Sequence, residues 1–431
     1  MVPHHFARSG AALMAALVAG ALLSVPAAAQ AVPPTAVDDN YSVGAGAVFT
    51  TGPGDGLKAN DRGFEVPGIA ISIKSMPEFG SLADLWLDGR FPYEPDPGFV
   101  GVDSFTYCLK VLTDPCAGPD ATVSLTVSSV LERIGGADRF AVSAAVSKAT
   151  FPSGVDTVYI ASGEVFPDAL SASAAAGLSE SPVLLTRRDR LPSAIIDELT
   201  RLQPKRVVIV GGTATVSASV ESQLRERGAD VERVAGADRY AGSALLSAET
   251  FDPSPEIVFI ASGEKFPDAL TASAAAGKTG GPVLLVRPGA VPSEVAAELT
   301  RLRPQAVQLV GGADSLSEAV RLEIDRITGR ASDRISGSDR YDVALGVLSK
   351  YFTSLSTPTV FIASGEVFPD ALSGAAAAIA AGAPTLLVTR DGVRNSVLDQ
   401  LDRLKVTRIV VLGGTDTVSN AVSQQLDAHL Q

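Results

Sequence analysis

One ten-residue motif occurs three times in this chain and constrains the fold more than any other feature. It reads Ala-Ser-Gly-Glu-x-Phe-Pro-Asp-Ala-Leu and begins at Ala161, Ala261 and Ala363. Each copy also has an Arg-x-x-Gly-[Ala/Ser]-Asp-Arg-[Phe/Tyr] opening and a later Gly-Gly pair. A period of about 100 residues is longer than a solenoid unit and long enough for a small domain. The sequence therefore predicts three linked copies of one domain, an arrangement that favours avid binding over a single active site.

Residues 1–31 have the order of a secretory signal peptide. A basic start precedes an apolar run over 11–25, and small residues follow it. The run is shorter than the roughly 20 residues that a membrane span needs. We therefore expect export, with cleavage after Ala29 or Ala31. No later apolar stretch of spanning length and no sortase signal are recognised, so we expect no transmembrane anchor and a non-covalent attachment to the cell.

Composition excludes several functions. The histidines are His4, His5 and His429, which leaves little material for histidine general bases or histidine-ligated zinc. The net charge of −13 disfavours nucleic acid as a partner. In an exported chain, Cys108 and Cys116 predict a disulfide, with unlinked buried thiols as the alternative. We expect no metal and no cofactor.

The segment 32–129 differs from the rest of the chain in its pattern of apolar and turn residues. Short alternating apolar runs, such as 68–74 and 121–127, are separated by turn residues and predict a β-sandwich. Phrases such as those at 36–41, 89–95 and 98–107 resemble bacterial cadherin-like and immunoglobulin-like domains, which implies a spacer or adhesion module. Oxygen ligands for calcium are one interpretation of its acidic residues and Asx turns are the other; these residues are Asp38, Asp39, Asn60, Asp61 and Asp103.

Each later copy predicts alternating helices and strands. In copy one we expect helices over 138–150, 167–177, 192–202 and 217–226, and strands over 157–161, 182–186, 206–210 and 231–234. Uniformly apolar strands indicate a parallel sheet covered by helices. The alanine-rich helix after Pro167 carries little side-chain bulk, and we expect it to pack against a neighbouring copy.

The motifs resemble cell wall binding type 2 repeats, a family found in triplicate in surface proteins of Gram-positive bacteria. The matched features are the Gly-x-Asp-Arg-[Phe/Tyr] opening, the Ser-Gly-Glu-x-Phe-Pro-Asp-Ala-Leu core, the Pro-[Val/Thr]-Leu-Leu segment and the Gly-Gly turn. We place the units at 130–230, 231–331 and 332–431. The resemblance implies a multidomain monomer in which three α/β units pack as an intrachain pseudo-trimer and bind an anionic wall polymer.

Backbone contacts to a ligand are predicted where strands end, because ligands of open parallel sheets bind beyond the carboxyl ends of the strands. A Gly-Gly pair suits either close backbone approach to a phosphate or carboxylate or a tight turn that needs a positive φ. We favour the turn. The pairs are Gly211 and Gly212, Gly311 and Gly312, and Gly413 and Gly414.

Arginines form the second candidate set. The arginine of the opening motif either binds a polymer anion with its planar fork or forms a structural Asp-Arg pair that bridges neighbouring copies; these residues are Arg139, Arg239 and Arg340. Less constrained arginines follow the second strand of each copy and are the favoured polymer contacts; they are Arg187, Arg188, Arg287 and Arg390. Arg390 falls one place later than Arg287 when both are counted from the preceding proline.

Repeated carboxylate pairs suggest glycosidase chemistry, but an acid is also favourable in the first turn of a helix. The pairs are Glu164 with Asp168, Glu264 with Asp268, and Glu366 with Asp370. We predict no catalytic residue and a secreted surface protein anchored by its repeats. The alternative is a cell-wall hydrolase, an amidase or glycosidase, or a modifier of one, although the three parts of the chain leave no segment for that enzyme.

Overall fold

The computed structural model describes residues 34–63, 68–111, 116, 119–353 and 358–430. The predicted signal peptide at 1–31 lies outside the described residues and stays a prediction. Within the described ranges, no helix combines the length and the apolar character that crossing a bilayer requires.

The N-terminal domain is the predicted sandwich. Its strands are β1 (Asp39–Gly44), β2 (Phe49–Thr50), β3 (Ile69–Ser75), β4 (Gly80–Leu82), β5 (Pro92–Pro95), β6 (Gly101–Val111) and β7 (Ala121–Ser128). They form two sheets, in the orders β1-β7-β6-β3 and β2-β5-β4. Aromatic side chains fill the space between them, and the rings of Phe91 and Phe105 meet edge to face at 5.2 Å. The predicted disulfide between Cys108 and Cys116 is present.

The repeats alternate strands with helices, and the predicted elements of copy one agree with the structure within one or two residues. The strands are β8 (Val130–Ile134), β9 (Thr157–Ser162), β10 (Val183–Thr186), β11 (Arg206–Val210), β12 (Asp230–Val234), β13 (Ile257–Ser262), β14 (Val283–Val286), β15 (Ala306–Val310), β16 (Asp333–Ile335), β17 (Thr359–Ser364), β18 (Thr385–Val388) and β19 (Arg408–Leu412). The helices are α1 (Arg139–Thr150), α2 (Pro167–Leu178), α3 (Ser193–Leu202), α4 (Ala218–Arg225), α5 (Arg239–Thr250), α6 (Phe266–Thr279), α7 (Ser293–Leu302), α8 (Glu318–Thr328), α9 (Arg340–Tyr351), α10 (Pro369–Ala380), α11 (Asn395–Leu404) and α12 (Asn420–Asp427).

Each parallel sheet takes its fourth strand from another copy. The strand orders are β10-β9-β11-β12, β14-β13-β15-β16 and β18-β17-β19-β8. Strands β12 and β16 carry the opening motifs of copies two and three. Strand β8 opens copy one and pairs with β19 of copy three, with Val130 opposite Arg408. Strand pairing therefore closes the three copies into a ring.

The first arginine of each opening motif fixes this strand exchange. Its guanidinium donates a hydrogen bond to the carbonyl oxygen of the first glycine of the Gly-Gly pair in the preceding copy. The pairs are Arg133 with Gly413 at 3.0 Å, Arg233 with Gly211 at 2.7 Å and Arg334 with Gly311 at 2.9 Å. A charged donor on a partly buried carbonyl is among the stronger protein hydrogen bonds. The motif thus joins neighbouring copies.

Helices α2, α6 and α10 pack against one another at the centre of the ring, as the alanine-rich sequence predicts. Their alanines are fully or almost fully buried except Ala380, the last residue of α10, which lets the helix backbones approach closely. The Ser273 hydroxyl donates to the Leu170 carbonyl of copy one at 3.3 Å. At the start of the cluster the rings of Phe166, Phe266 and Phe368 form a triangle with centroids 5.8–6.1 Å apart.

One side chain breaks the equivalence of the three central helices. Ile379 of α10 stands where α2 and α6 have Gly177 and Gly277. A Cβ atom added to either glycine would overlap the Cγ2 atom of Ile379. A single isoleucine therefore occupies the space that both glycines leave open.

Replacing Gly277 by alanine tests this packing. At an unhindered helix position the change would stabilise by about 1 kcal/mol, because glycine is the poorer helix former. Here we expect a loss of about 1–3 kcal/mol from overpacking, measured by denaturant unfolding. In an Ile379→Ala background the same Gly277→Ala change should become neutral or stabilising. A loss of equal size in both backgrounds would contradict the proposed contact.

Candidate functional site

The first glycine of each Gly-Gly pair has a structural role. Gly211, Gly311 and Gly413 have φ values of +120°, +128° and +97°, which side-chain-bearing residues rarely adopt. A Cβ atom at any of them would also collide with the aspartate carboxylate of the ten-residue motif in the same copy. The turn interpretation therefore accounts for these three glycines.

The second glycine is in a different position. A Cβ atom on Gly212 or Gly414 would meet nothing within 4 Å, and one on Gly312 would meet only the Gly337 carbonyl oxygen at 4.0 Å. The backbone at the second glycine is thus open to approach from outside. Ligand contact at the Gly-Gly pairs stays a prediction, and it rests on these second glycines.

The aspartates of the ten-residue motif stabilise the same turns. Thr215 donates to the Asp168 carboxylate at 3.1 Å, and Thr417 donates to Asp370 at 3.0 Å. Burial raises the pKa of these two carboxyl groups and of Asp268 above the usual aspartate range. Each aspartate therefore ties the start of a central helix to the Gly-Gly turn.

The motif glutamates lie apart from this arrangement and are exposed. Glu264 accepts a hydrogen bond from the Tyr240 hydroxyl at 3.3 Å, and Glu366 accepts one from the Arg390 backbone at 3.2 Å. The described residues include one histidine, His429, whose ring pairs with Asp402 at 2.9 Å.

The second arginine of the opening motif bridges two copies. Arg139 and Arg239 donate to the carbonyl oxygens of Gly163 and Gly263 in their own copies, both at 2.6 Å, and Arg340 donates to Gly365 in the same way. Each guanidinium also lies 5.8–5.9 Å from the centroid of a phenylalanine ring of a neighbouring copy. These arginines therefore link neighbouring copies through a phenylalanine ring, and the motif aspartates pair with other arginines. Polymer contact by Arg139, Arg239 and Arg340 stays a prediction.

The aspartate before that arginine caps the following helix and binds a further arginine. Asp138 accepts hydrogen bonds from the backbone of Phe140 and Ala141. The Arg187 guanidinium lies 3.5 Å from the Asp138 carboxylate and 4.7 Å from the Phe140 ring centroid. In copy two, Arg287 makes the same contacts with Asp238 and Tyr240 at 3.1 and 4.6 Å.

In copy three this position is filled by Arg394, which the sequence prediction missed. Its guanidinium pairs with Asp339 and lies 4.3 Å from the Tyr341 ring centroid. Arg390 instead donates to the Asp416 carbonyl oxygen at 3.0 Å. The signal was present in the sequence, because the position after β18 that corresponds to Arg287 is Thr389.

Arg188 is exposed, and its side chain forms no hydrogen bond or ion pair with the described residues. Together with Arg390 it lies beyond the carboxyl end of a second strand, as expected. Arg390 also lies 3.5 Å from the Asp391 carboxylate, whereas the guanidinium groups of Arg187 and Arg287 contact both an aspartate and a ring. Polymer contact by all four arginines stays a prediction.

Clefts form where two copies meet at this edge of the sheets. The second–third cleft, of about 330 Å³, is lined by residues that include Lys265, Asp268, Gly312, Ser315, Ser338 and Arg340. The third–first cleft, of about 430 Å³, is lined by residues that include Asp138, Arg139, Glu366, Asp370, Gly414 and Thr417. Each cleft joins the Gly-Gly turn and aspartate of one copy to the helix start and arginine of the next.

The acidic residues of the sandwich are divided between separate networks. Asp103 accepts hydrogen bonds from the backbone of Glu78 and Phe79, both at 3.0 Å, and from the Tyr93 hydroxyl at 2.8 Å. Asp38 accepts from the Thr122 backbone at 2.7 Å. Both carboxylates are therefore engaged by protein donors, and these donors lie far from them in sequence rather than in local Asx turns.

The other two acids share one hydroxyl. The Tyr107 oxygen lies 2.9 Å from Asp61 Oδ1 and 3.1 Å from Asp39 Oδ2. Because the phenol has a single proton, it can donate to only one of them at a time. The pKa of Asp39 is raised to about 6, mainly by burial and in part by the neighbouring Asp61, and burial also raises the pKa of Asp61.

A sandwich joined to three α/β units that share one helix cluster defines a modular protein built of repeated domains. The family model described as Bacterial Ig domain matches residues 31–128. The model described as Cell wall binding domain 2 (CWB2) matches residues 133–221, 233–321 and 334–423. These three matches cover more than half of the chain, and the chain belongs to the cell wall binding domain 2 family.

Curated relatives include two proteins of Bacillus subtilis strain 168. N-acetylmuramoyl-L-alanine amidase LytC is 28% identical over 319 residues, which cover 74% of this chain and 62% of LytC. The amidase enhancer is 27% identical over 299 residues, which cover 69% of this chain and 40% of that protein. The chain therefore spans less than two thirds of the length of either relative.

Two solved structures from Clostridium difficile share the fold. Cwp6 has a TM-score of 0.69 at 20% identity, covering 92% of this chain and 68% of Cwp6. Cwp8 has a TM-score of 0.63 at 24% identity, covering 84% of this chain and 63% of Cwp8.

The Asp39–Tyr107–Asp61 network predicts a pH-dependent stability of the sandwich. Because the pKa of Asp39 is higher in the folded state than its usual value near 3.8, the folded state binds more protons between about pH 4 and 6. Stability should therefore fall as the pH rises through this window, and the raised pKa of Asp61 acts in the same direction. The Asp39→Asn variant should unfold at a higher temperature than the parent at pH 7 and show a flatter pH profile, measured by calorimetry. A profile as steep as that of the parent would contradict this assignment.

Proposed function

We propose that this protein is a secreted surface protein whose three repeats bind an anionic polymer of the bacterial cell wall without a covalent bond. The sandwich is displayed outward from that anchor. The protein works as a monomer, with its three repeats related by an intrachain pseudo-threefold axis and no enzymatic activity. Membership of the cell wall binding domain 2 family supports wall binding, and the anionic character of the ligand is our inference from the site.

The observation that carries the proposal is the repeated cleft between copies. In both the second–third and the third–first cleft, an arginine, an open glycine backbone and the start of a helix face the same space. Planar guanidinium groups and helix starts suit phosphates and carboxylates. The boundary between copies one and two also places an arginine near a motif aspartate, since Arg239 of copy two acts electrostatically on Asp168 of copy one.

Triplication supports attachment by many weak contacts. A second and third site on the same chain bind an already captured polymer at a high effective concentration. Modest affinity at each cleft then suffices for retention on a wall. Exchange at single sites remains fast, which suits a protein that is held without a covalent bond.

The relationship to LytC, which is named an amidase, makes a wall hydrolase the second candidate. The carboxylates of the repeats do not support it. Each motif aspartate lies against a Gly-Gly turn, with Asp268 and Asp370 buried and Asp168 partly buried. In copies one and three it is hydrogen-bonded to a threonine of that turn. A repeated structural contact accounts for these residues without catalysis.

We expect the mature chain to bind isolated Gram-positive cell walls and to lose that binding when the anionic polymers are extracted. Binding should weaken as salt rises, because exposed charges are screened within about 10 Å at 0.1 M and about 3 Å at 1 M ionic strength. Sedimentation with walls at graded salt measures both effects. Equal binding to extracted walls would overturn the anionic ligand, and release of sugars or peptides would favour the hydrolase.

A charge-matched pair of variants tests the arginines. The double variant Arg188→Ala, Arg390→Ala removes two exposed charges from the cleft edge and should weaken wall binding by about tenfold, or about 1.4 kcal/mol. The control Lys205→Ala, Arg227→Ala removes two charges from exposed residues that precede strands β11 and β12, at the opposite edge of the sheet. It should bind like the parent. Equal loss in both variants would indicate an unspecific charge effect.

A further inference from the structure

The three copies of the ten-residue motif differ at one exposed position. Lys265 stands where the other copies have Val165 and Val367, and it lines the second–third cleft. Its ammonium group donates to the Asp314 carbonyl oxygen at 3.2 Å. This is a single contact to an exposed backbone oxygen, so two of its three N–H donors face away from that partner.

The two clefts differ strongly in charge. The second–third cleft is lined by two basic residues, Lys265 and Arg340, and three acidic ones. Of those acids, Asp339 is paired with Arg394 from outside the cleft, which leaves two acids against two bases. The formal charges of this cleft are therefore close to balanced.

The third–first cleft has the opposite character. Arg139 is its single basic residue, against four acidic ones: Asp138, Glu366, Asp370 and Asp416. Of these, Asp138 alone has a basic partner from outside the cleft, Arg187. Since the clefts share their backbone design, this charge difference is what distinguishes them for an anionic ligand.

The motif glutamate contributes to the difference. Glu264 accepts a hydrogen bond from the Tyr240 hydroxyl and does not line the second–third cleft. Its counterpart Glu366 lines the third–first cleft. The presence of Lys265 and the absence of Glu264 from the lining both make the second–third cleft more favourable for an anion.

We propose that the second–third cleft is the principal anion site of the repeats and that Lys265 sets this preference. The inference rests on the proposed function and refines it. The recognised group is a phosphate or a carboxylate of the polymer, held by the Lys265 ammonium, the free N–H groups of Arg340 and the open backbone at Gly312. The third–first cleft contributes little to anion binding.

The test uses the full mature chain with two defined polyanions, poly(glycerol phosphate) and polygalacturonate, and neutral dextran as the blank. Lys265→Val introduces the residue that copies one and three already have, so the fold should be unchanged, as a thermal melt would verify. We expect the variant to bind polyanion about tenfold more weakly at low salt, the effect of one lost charge contact. Its affinity should also depend less steeply on salt. Loss for one polyanion alone identifies that anion as the recognised group.

Two further variants complete the design. Lys205→Val removes the same charge from an exposed residue at the opposite edge and should leave binding unchanged. Val367→Lys places a lysine in the acidic third–first cleft, where we expect a gain of less than about threefold. A Lys265→Val variant that binds as tightly as the parent would overturn this inference and leave the proposed function standing. A parent chain that binds neither polyanion would overturn the anionic ligand itself.

Discussion

Close packing of the three alanine-rich helices is the constraint on which the rest of the structure depends. Because α2, α6 and α10 meet through side chains no larger than alanine or serine over most of their length, their backbones approach closely enough for a serine of one helix to bond to the carbonyl of the next. The sheets must then lie outside the helices, with the carboxyl ends of their strands at the boundaries between copies. The main role of the triplicated motif is therefore to pack the three helices together, and its position at the strand ends follows from that packing.

Strand exchange is the second element of the design, and it makes each cleft a shared property of two copies. One copy supplies the Gly-Gly turn and the buried aspartate, while the next supplies the capped helix and the arginine. An isolated repeat would lack half of every cleft and the fourth strand of its sheet. Because β8 follows the last strand of the sandwich after only Ser129, the strand that closes the ring is also the connection to the displayed domain.

Elements, their order and the disulfide could be predicted from the sequence because they depend on local signals: apolar periodicity, Pro167 in a first helical turn, and two cysteines in a chain expected to be exported. The helix contact between copies could be predicted because small residues need a close partner. The roles of individual arginines could not. Arg133 and Arg139 belong to one motif, yet one binds a carbonyl of another copy and the other a carbonyl of its own copy plus a foreign ring. In copy three Arg394 makes the contacts that Arg287 makes in copy two, although the aligned residue is Thr389. Only the fold brings Arg394 to that position.

The differences among the three copies are distributed unevenly between the contacts that close the ring and the residues that face outward. Contacts that close the ring are retained, since the loss of any one leaves a buried carbonyl or a strand edge without a partner. Residues that face outward vary, and at the clefts this variation changes charge. A protein with a net charge of −13 repels an anionic polymer at long range, but the Debye length near 8 Å at physiological salt screens the distant carboxylates. What then decides binding is the balance of charges within a few ångströms of the ligand, and that balance differs from one boundary between copies to the next.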